Sequence, residues 1–182
     1  GGLDTATTRL SISNTIRHSI DPCFTYILKN GTSHKLSTRY FTTINKNNTN
    51  QSSTSSLYFG GYQFQKKIKE VATLTAGIAD SYTDVVSELY GNHNGNNFSA
   101  FAQADIRYKK VTLSLGGRLE SSRLDTVEDD VTPVIRTGLN YHLFKDTYLR
   151  TSYGQGYRFP TIAEKYVDTD IGGVRIYPND SL

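Results

Sequence analysis

Apolar and polar residues alternate with a period of two over stretch after stretch of this chain, while helical spacing is almost absent; that pattern commits it to half-buried strands. In "NFSAFAQADIRYKK", Phe98, Ala100, Ala102, Ala104, Ile106 and Tyr108 share one face, and Ser99, Gln103, Asp105 and Arg107 share the other, with Phe101 the one interruption. Lys109-Lys110 turns the chain into "VTLSLGGRLE", where Val111, Leu113, Leu115 and Leu119 oppose Thr112, Ser114, Arg118 and Glu120. A second hairpin follows. It sets Ile135, Leu139, Tyr141 and Leu143 against Arg136, Asn140 and His142, then Leu149, Tyr153 and Tyr157 against Arg150, Ser152 and Arg158. Upstream, strands are expected at about 7–17, 23–29, 35–45, 55–66 and 70–80, with Asn30-Gly31 as the hairpin signal between the second and third.

The connections alternate between short and long. Short turns fall near Asn30-Gly31, Lys66 to Lys69, Lys109-Lys110 and Lys145-Asp146, and between them lie the polar segments "NKNNTNQSST", "DSYTDVVSELYGNHNGNN" and "SSRLDTVEDDV". Long loops gathered at one end of a meander are the habit of outer-membrane barrels. A strand of about 11 residues, rising roughly 3.3 Å each and tilted by about 40°, covers about 27 Å, close to the apolar band of such barrels. Lipid offers no hydrogen bonds, so strands that cross it belong to a barrel. The expected architecture is therefore all-β: part of an antiparallel up-and-down transmembrane β-barrel, roughly eight or nine strands, with short turns at one end and long loops at the other. On that reading the mid-strand Arg107, Arg118, Arg136 and Arg150 line the lumen. A soluble sandwich or small packed barrel alternates in the same way and would turn those arginines to solvent.

Composition excludes several alternatives. The 182 residues carry a formal charge of only +3, with basic residues scattered along the chain, which argues against a nucleic-acid partner. Aromatic residues at 12% argue against disorder, and no apolar run approaches the roughly 20 residues of a membrane-spanning helix. One cysteine, Cys23, rules out an intrachain disulfide and reads as a small apolar filler. The sequence contains no methionine, so it reads as a processed product or an excised piece.

The stretch "YLRTSYGQGYRFPTIAEKYVDTDIGGVRIYPNDSL" resembles the late barrel region of TonB-dependent outer-membrane receptors. The resemblance rests on Arg150, Ser152, Gly154, Gly156, Tyr157, Arg158, Pro160, Glu164, Pro178, Asn179 and Leu182, and on the Gly116 to Arg118 pattern of the preceding hairpin. It implies that residues 1–182 are one partial barrel domain of a larger receptor, without the plug, the energy-coupling box and the C-terminal strands. It further implies a bacterial outer membrane, contact with outer-membrane lipid and lipopolysaccharide, and a TonB complex engaged through the plug region. The implied activity is active import of a scarce small molecule: an iron-siderophore, haem, cobalamin or oligosaccharide. Within the motif, Gly154 and Gly156 are expected to clear the lumen face for close approach, Pro160 to end the strand, and Arg158 to pair with Glu164 as a rim ion pair.

Catalytic chemistry is not expected. His18, His34, His93 and His142 are far apart and share no ligand spacing, no nucleophile finds a base, and neither a metal nor a cofactor is expected. The acidic run 125–130 lacks the spacing of a calcium loop and reads as a solvated loop. Tyr82, Tyr90 and His93, placed in the longest polar segment, are the candidate ligand-contact residues. The rival function is a small self-contained β-barrel acting as an adhesion or ligand-binding module without transport.

Overall fold

The computed structural model describes residues 12–89, 91–158, 161, 162, 166, 169–171 and 174–176. Its strands in chain order are β1 (Ser13–Ile20), β2 (Cys23–Ile27), β3 (Thr32–Asn47), β4 (Ser53–Ile68), β5 (Ala72–Ser87), β6 (Gly91–Tyr108), β7 (Val111–Leu124), β8 (Val127–Glu128), β9 (Thr132–Phe144), β10 (Thr147–Gly154), β11 (Thr169–Ile171) and β12 (Val174–Ile176). Ten of these form one antiparallel sheet in the order β1-β3-β4-β5-β6-β7-β9-β10, with β2 also pairing with β3 and β8 with β7; β11 and β12 form a separate hairpin. The sheet is an up-and-down meander, as alternation required, and it is open among the described residues, with β1 and β2 on one edge and β10 on the other.

The strands expected at 7–17 and 23–29 are two stretches of one edge. β1 and β2 share a single register along β3, with Ile20 opposite Tyr40 and Cys23 opposite Ser37. Pro22 divides them because it has no N–H to give the ladder, although its carbonyl still accepts the Thr38 N–H at 2.9 Å. Cys23 is exposed, 3.7 Å from the Ser37 hydroxyl, and fills no core.

Alternation divides the sheet into two unlike faces. Leu36, Tyr62, Ile78, Ala100 and Leu119 stand in one cross-strand row from β3 to β7, and Ala104 and Leu115 belong to a row on the same face. Leu36, Ile78 and Leu119 are each about half exposed, at 50%, 50% and 52%. Among the described residues few apolar side chains are buried: Val85, Leu124, Val134 and Ile162. A soluble sheet covers its apolar face; this one leaves large apolar side chains exposed on every strand from β3 to β9. On β6 the apolar run goes from Phe98 to Tyr108, and the same face beyond Phe98 carries Asn96, Asn94 and Asn92. Ten residues tilted by about 40° span about 25 Å, the height of a membrane band. Tyr40, Tyr58 and Tyr82 stand side by side at its edge, with ring centroids 5.2 Å and 6.3 Å apart.

The strands are longer than the composition of their ends implied. β3, β4 and β5 each have 16 residues and β6 has 18, so much of the polar segments 45–54 and 80–97 is paired strand and not loop. Asp80 lies opposite Phe98 and Ser87 opposite Gly91, an unbroken ladder. Backbone pairing needs only an extended partner in register, and Thr, Tyr and Val on β5 supply good strand formers beyond the apolar band. The connections at this end are accordingly short: 48–52 between β3 and β4, and 125–131, which contains β8, between β7 and β9.

Candidate functional site

The candidate site lies on the polar face of the sheet. Alternation places Arg107, Arg118, Arg136 and Arg150 on this one face: Arg107 opposite Thr112, Arg118 opposite Phe101, Arg136 opposite both Gly116 and Gly154, and Arg150 opposite Asn140. Two adjoining hollows of about 420 Å³ and 530 Å³ lie along it and share Gln103, Gly116, Arg136 and Gln155. The Arg136 stem packs beside Gly154, where a Cβ would sit 3.4 Å from its Cγ, and among the described residues its guanidinium holds no ion pair.

A buried polar cluster stands at the outer side of these hollows. Arg118 pairs with Glu120 and donates to the Ser99 hydroxyl at 3.1 Å. Glu120 is 6% exposed and Ser99 and Ser122 are each 1% exposed. Ser122 donates to Asp129 Oδ2 at 2.8 Å, which leaves its oxygen to accept the Tyr157 hydroxyl at 3.1 Å. The chain beyond β10 is thus tied down onto the polar face.

A second tie lies farther along the same face. His93 Nδ1 meets Asp125 Oδ2 at 2.7 Å, and Tyr166 lies flat on the His93 ring, with centroids 3.8 Å apart and planes 4° apart. Ile162 joins Val85 and Leu124 in a small apolar cluster against which Tyr166 packs. Partial burial opposes the Asp125 charge, but the Asn94 N–H, His93 and the Tyr166 hydroxyl outweigh it and hold the carboxyl below the ordinary carboxylate range. Asp125 and Asp129 of the acidic run are therefore structural acceptors and not a freely solvated loop.

The expected site residues divide accordingly. Arg150 and Ser152 lie on the polar face of β10, opposite Asn140 and Gly138. Gly154 is closely approached, by Arg136, whereas nothing stands within 4 Å of a Cβ at Gly156. Tyr157, expected on the apolar face with Tyr153, is turned to the polar face, because β10 ends at Gly154 and alternation no longer governs it. Arg158 is exposed. Tyr82 lies on β5 in the tyrosine row of the apolar face and not in a loop, and His93 lies on β6 beneath Tyr166. Tyr90, Pro160, Glu164, Pro178, Asn179 and Leu182 fall outside the described residues, and with them the Arg158–Glu164 pair. Glu120, Ser99, Ser122 and Tyr166 are residues that sequence reasoning did not single out. Ser99 and Glu120 carried a signal there, since alternation sets both on the polar face with Arg118.

Comparison with known proteins yields one family. The model of the TonB dependent receptor-like β-barrel matches residues 3–182, nearly the whole chain. No curated protein and no solved structure matches.

Proposed function

The chain belongs to the TonB-dependent receptor β-barrel family, whose members are receptors of the bacterial outer membrane, and from that premise we propose that it forms wall and ligand path of a receptor that actively imports a scarce, bulky nutrient. The apolar face meets lipid, and the polar face lines the lumen. The observation that supports the import reading is the set of arginines on that face, with Arg136 at the junction of the two hollows. Guanidinium groups recognise carboxylate and phosphate oxygens bidentately. In a lumen of low dielectric walls, such a set raises the local concentration of anions. The ligand is accordingly an anionic member of the classes such receptors carry, an iron-siderophore or haem ahead of a neutral oligosaccharide. Energy from the TonB complex, delivered through the plug, moves it inward.

The test is uptake by cells expressing the whole receptor with Arg136→Gln and Arg150→Gln together. Uptake of an anionic siderophore complex should fall on the order of tenfold, while the amount of folded receptor is unchanged. Unchanged uptake would remove the arginines from the ligand path. Binding without TonB-dependent uptake in the parent would favour the adhesion or binding module instead.

A further inference from the structure

The two rims of the sheet carry opposite charge, which the overall formal charge of +3 conceals. Every turn on the short-turn rim bears lysine: Lys29, Lys69, Lys109-Lys110 and Lys145, against Glu70 and Asp146, a formal +3. The opposite connections, 48–52, 88–89 and 125–131, contain five acids and no lysine or arginine, a formal −5. All five turn lysines are exposed. They sit just past the end of the apolar band, and Lys109 Nζ lies 5.3 Å above the ring of Tyr108, the last residue of β6.

The apolar face above this rim is not smooth. Phe64, Ala76, Ala102 and Gly117 stand in one cross-strand row, and Ala104 and Leu115 in the next one toward the lysines. The small side chains leave a hollow of about 520 Å³ between the larger ones. A methylene chain fills such a space with no polar group to satisfy.

We propose that the short-turn rim and this hollow together bind an anionic glycerophospholipid of the periplasmic leaflet, its phosphate among Lys69, Lys109, Lys110 and Lys145 and an acyl chain in the hollow. Each lysine close to an anionic membrane surface adds attraction that salt screens. The three opposite connections, acidic at every charged position, repel the same headgroup. The charge asymmetry thus fixes how the sheet stands in the bilayer, and the bound lipid caps the seam between the apolar band and the turns. The inference rests on the apolar face meeting lipid.

The protein, purified whole in mild detergent and exchanged into micelles with equal phosphatidylglycerol and phosphatidylcholine, is assayed for retained lipid by native mass spectrometry. The wild type should retain phosphatidylglycerol preferentially. The preference should fall at least about tenfold in the variant Lys69→Asn, Lys109→Asn, Lys110→Gln, Lys145→Gln, and at high salt. Asparagine is chosen at 69 and 109 because both residues have positive φ, 50° and 52°, which it tolerates. Ala104→Phe, which fills the hollow with the lysines intact, should retain less of both lipids, and Arg123→Gln near the opposite rim should match the wild type. Equal retention of the two lipids by the wild type, or wild-type retention by the lysine or the Ala104 variant, overturns the inference. A protein that is folded and monodisperse without detergent would instead sink the membrane reading beneath it.

Discussion

The ring of Phe101 occupies the space that a side chain at Gly77 would need: a Cβ there would lie 2.6 Å from Phe101 Cζ and 2.5 Å from the Tyr62 carbonyl oxygen. The two residues are direct partners between β5 and β6 on the polar face. The one large apolar residue that breaks alternation on β6 is accommodated because its neighbour has no side chain.

Gly77→Ala should therefore destabilise the protein by about 1–3 kcal/mol, since the backbone oxygen cannot move aside. Phe101→Leu should relieve only the part of that cost due to the ring. Denaturant unfolding in detergent of the two single variants and the double variant measures both. Full rescue by Phe101→Leu would show that the Tyr62 carbonyl does not constrain the site.

Removing Arg118 should cost more than removing the charge of Glu120. Glu120 is buried beside Arg118, and one of its oxygens, Oε2, is buried without a hydrogen-bond partner among the described residues. Arg118→Ala strands that carboxylate and should cost about 3–5 kcal/mol. Glu120→Gln leaves behind a half-exposed arginine and should cost less than about 1.5 kcal/mol. Equal costs, read from the same unfolding curves, would contradict this asymmetry.

The tie between Asp125, His93 and Tyr166 should weaken in acid. The Asp125 carboxyl is held below the ordinary carboxylate value, so the folded state binds its proton less readily than the unfolded chain does. Its stabilisation is complete above the unfolded value of 3.8 and is lost as pH falls through the lower folded value. Acidification through that lowered folded value should thus free the Tyr166 ring from His93, seen as a change in near-ultraviolet tyrosine dichroism. Asp125→Asn, which tolerates the positive φ of 53° there, should give the freed spectrum already at neutral pH. A spectrum unchanged in both cases would show that the carboxylate does not hold the stack.

Charge should be penalised on one face only. Leu115→Arg places a guanidinium in the middle of the apolar band and should cost about 2–4 kcal/mol, whereas Thr75→Arg on the polar face should fold with little loss. Folding yield into detergent or vesicles compares the two, and equal yields would contradict the assignment of faces.

The sheet itself was legible in the sequence because side-chain period is a geometric necessity of strands: the partners of Ala100, Leu113 and Tyr141 follow from counting alone. The turn lysines were legible for the same reason. What could not be read was where pairing stops. Asn92, Asn94 and Asn96 have loop composition, yet they remain in strand because β5 offers an extended partner opposite each of them. Tyr157 takes the opposite face from the one alternation predicts because it lies three residues past the end of β10, where no partner enforces the pattern. The tie of His93 to Tyr166 joins positions 73 residues apart and leaves no local signal.

The most direct test of the two-faced wall is a nitroxide scan of β6 from Phe98 to Tyr108 in lipid bilayers, one spin label per variant in a Cys23→Ser background. Collision with dissolved oxygen should exceed collision with a polar nickel chelate at 98, 100, 102, 104, 106 and 108, and the order should reverse at 103, 105 and 107. Loss of the alternation, or water access at the even positions, would contradict a lipid-facing apolar side.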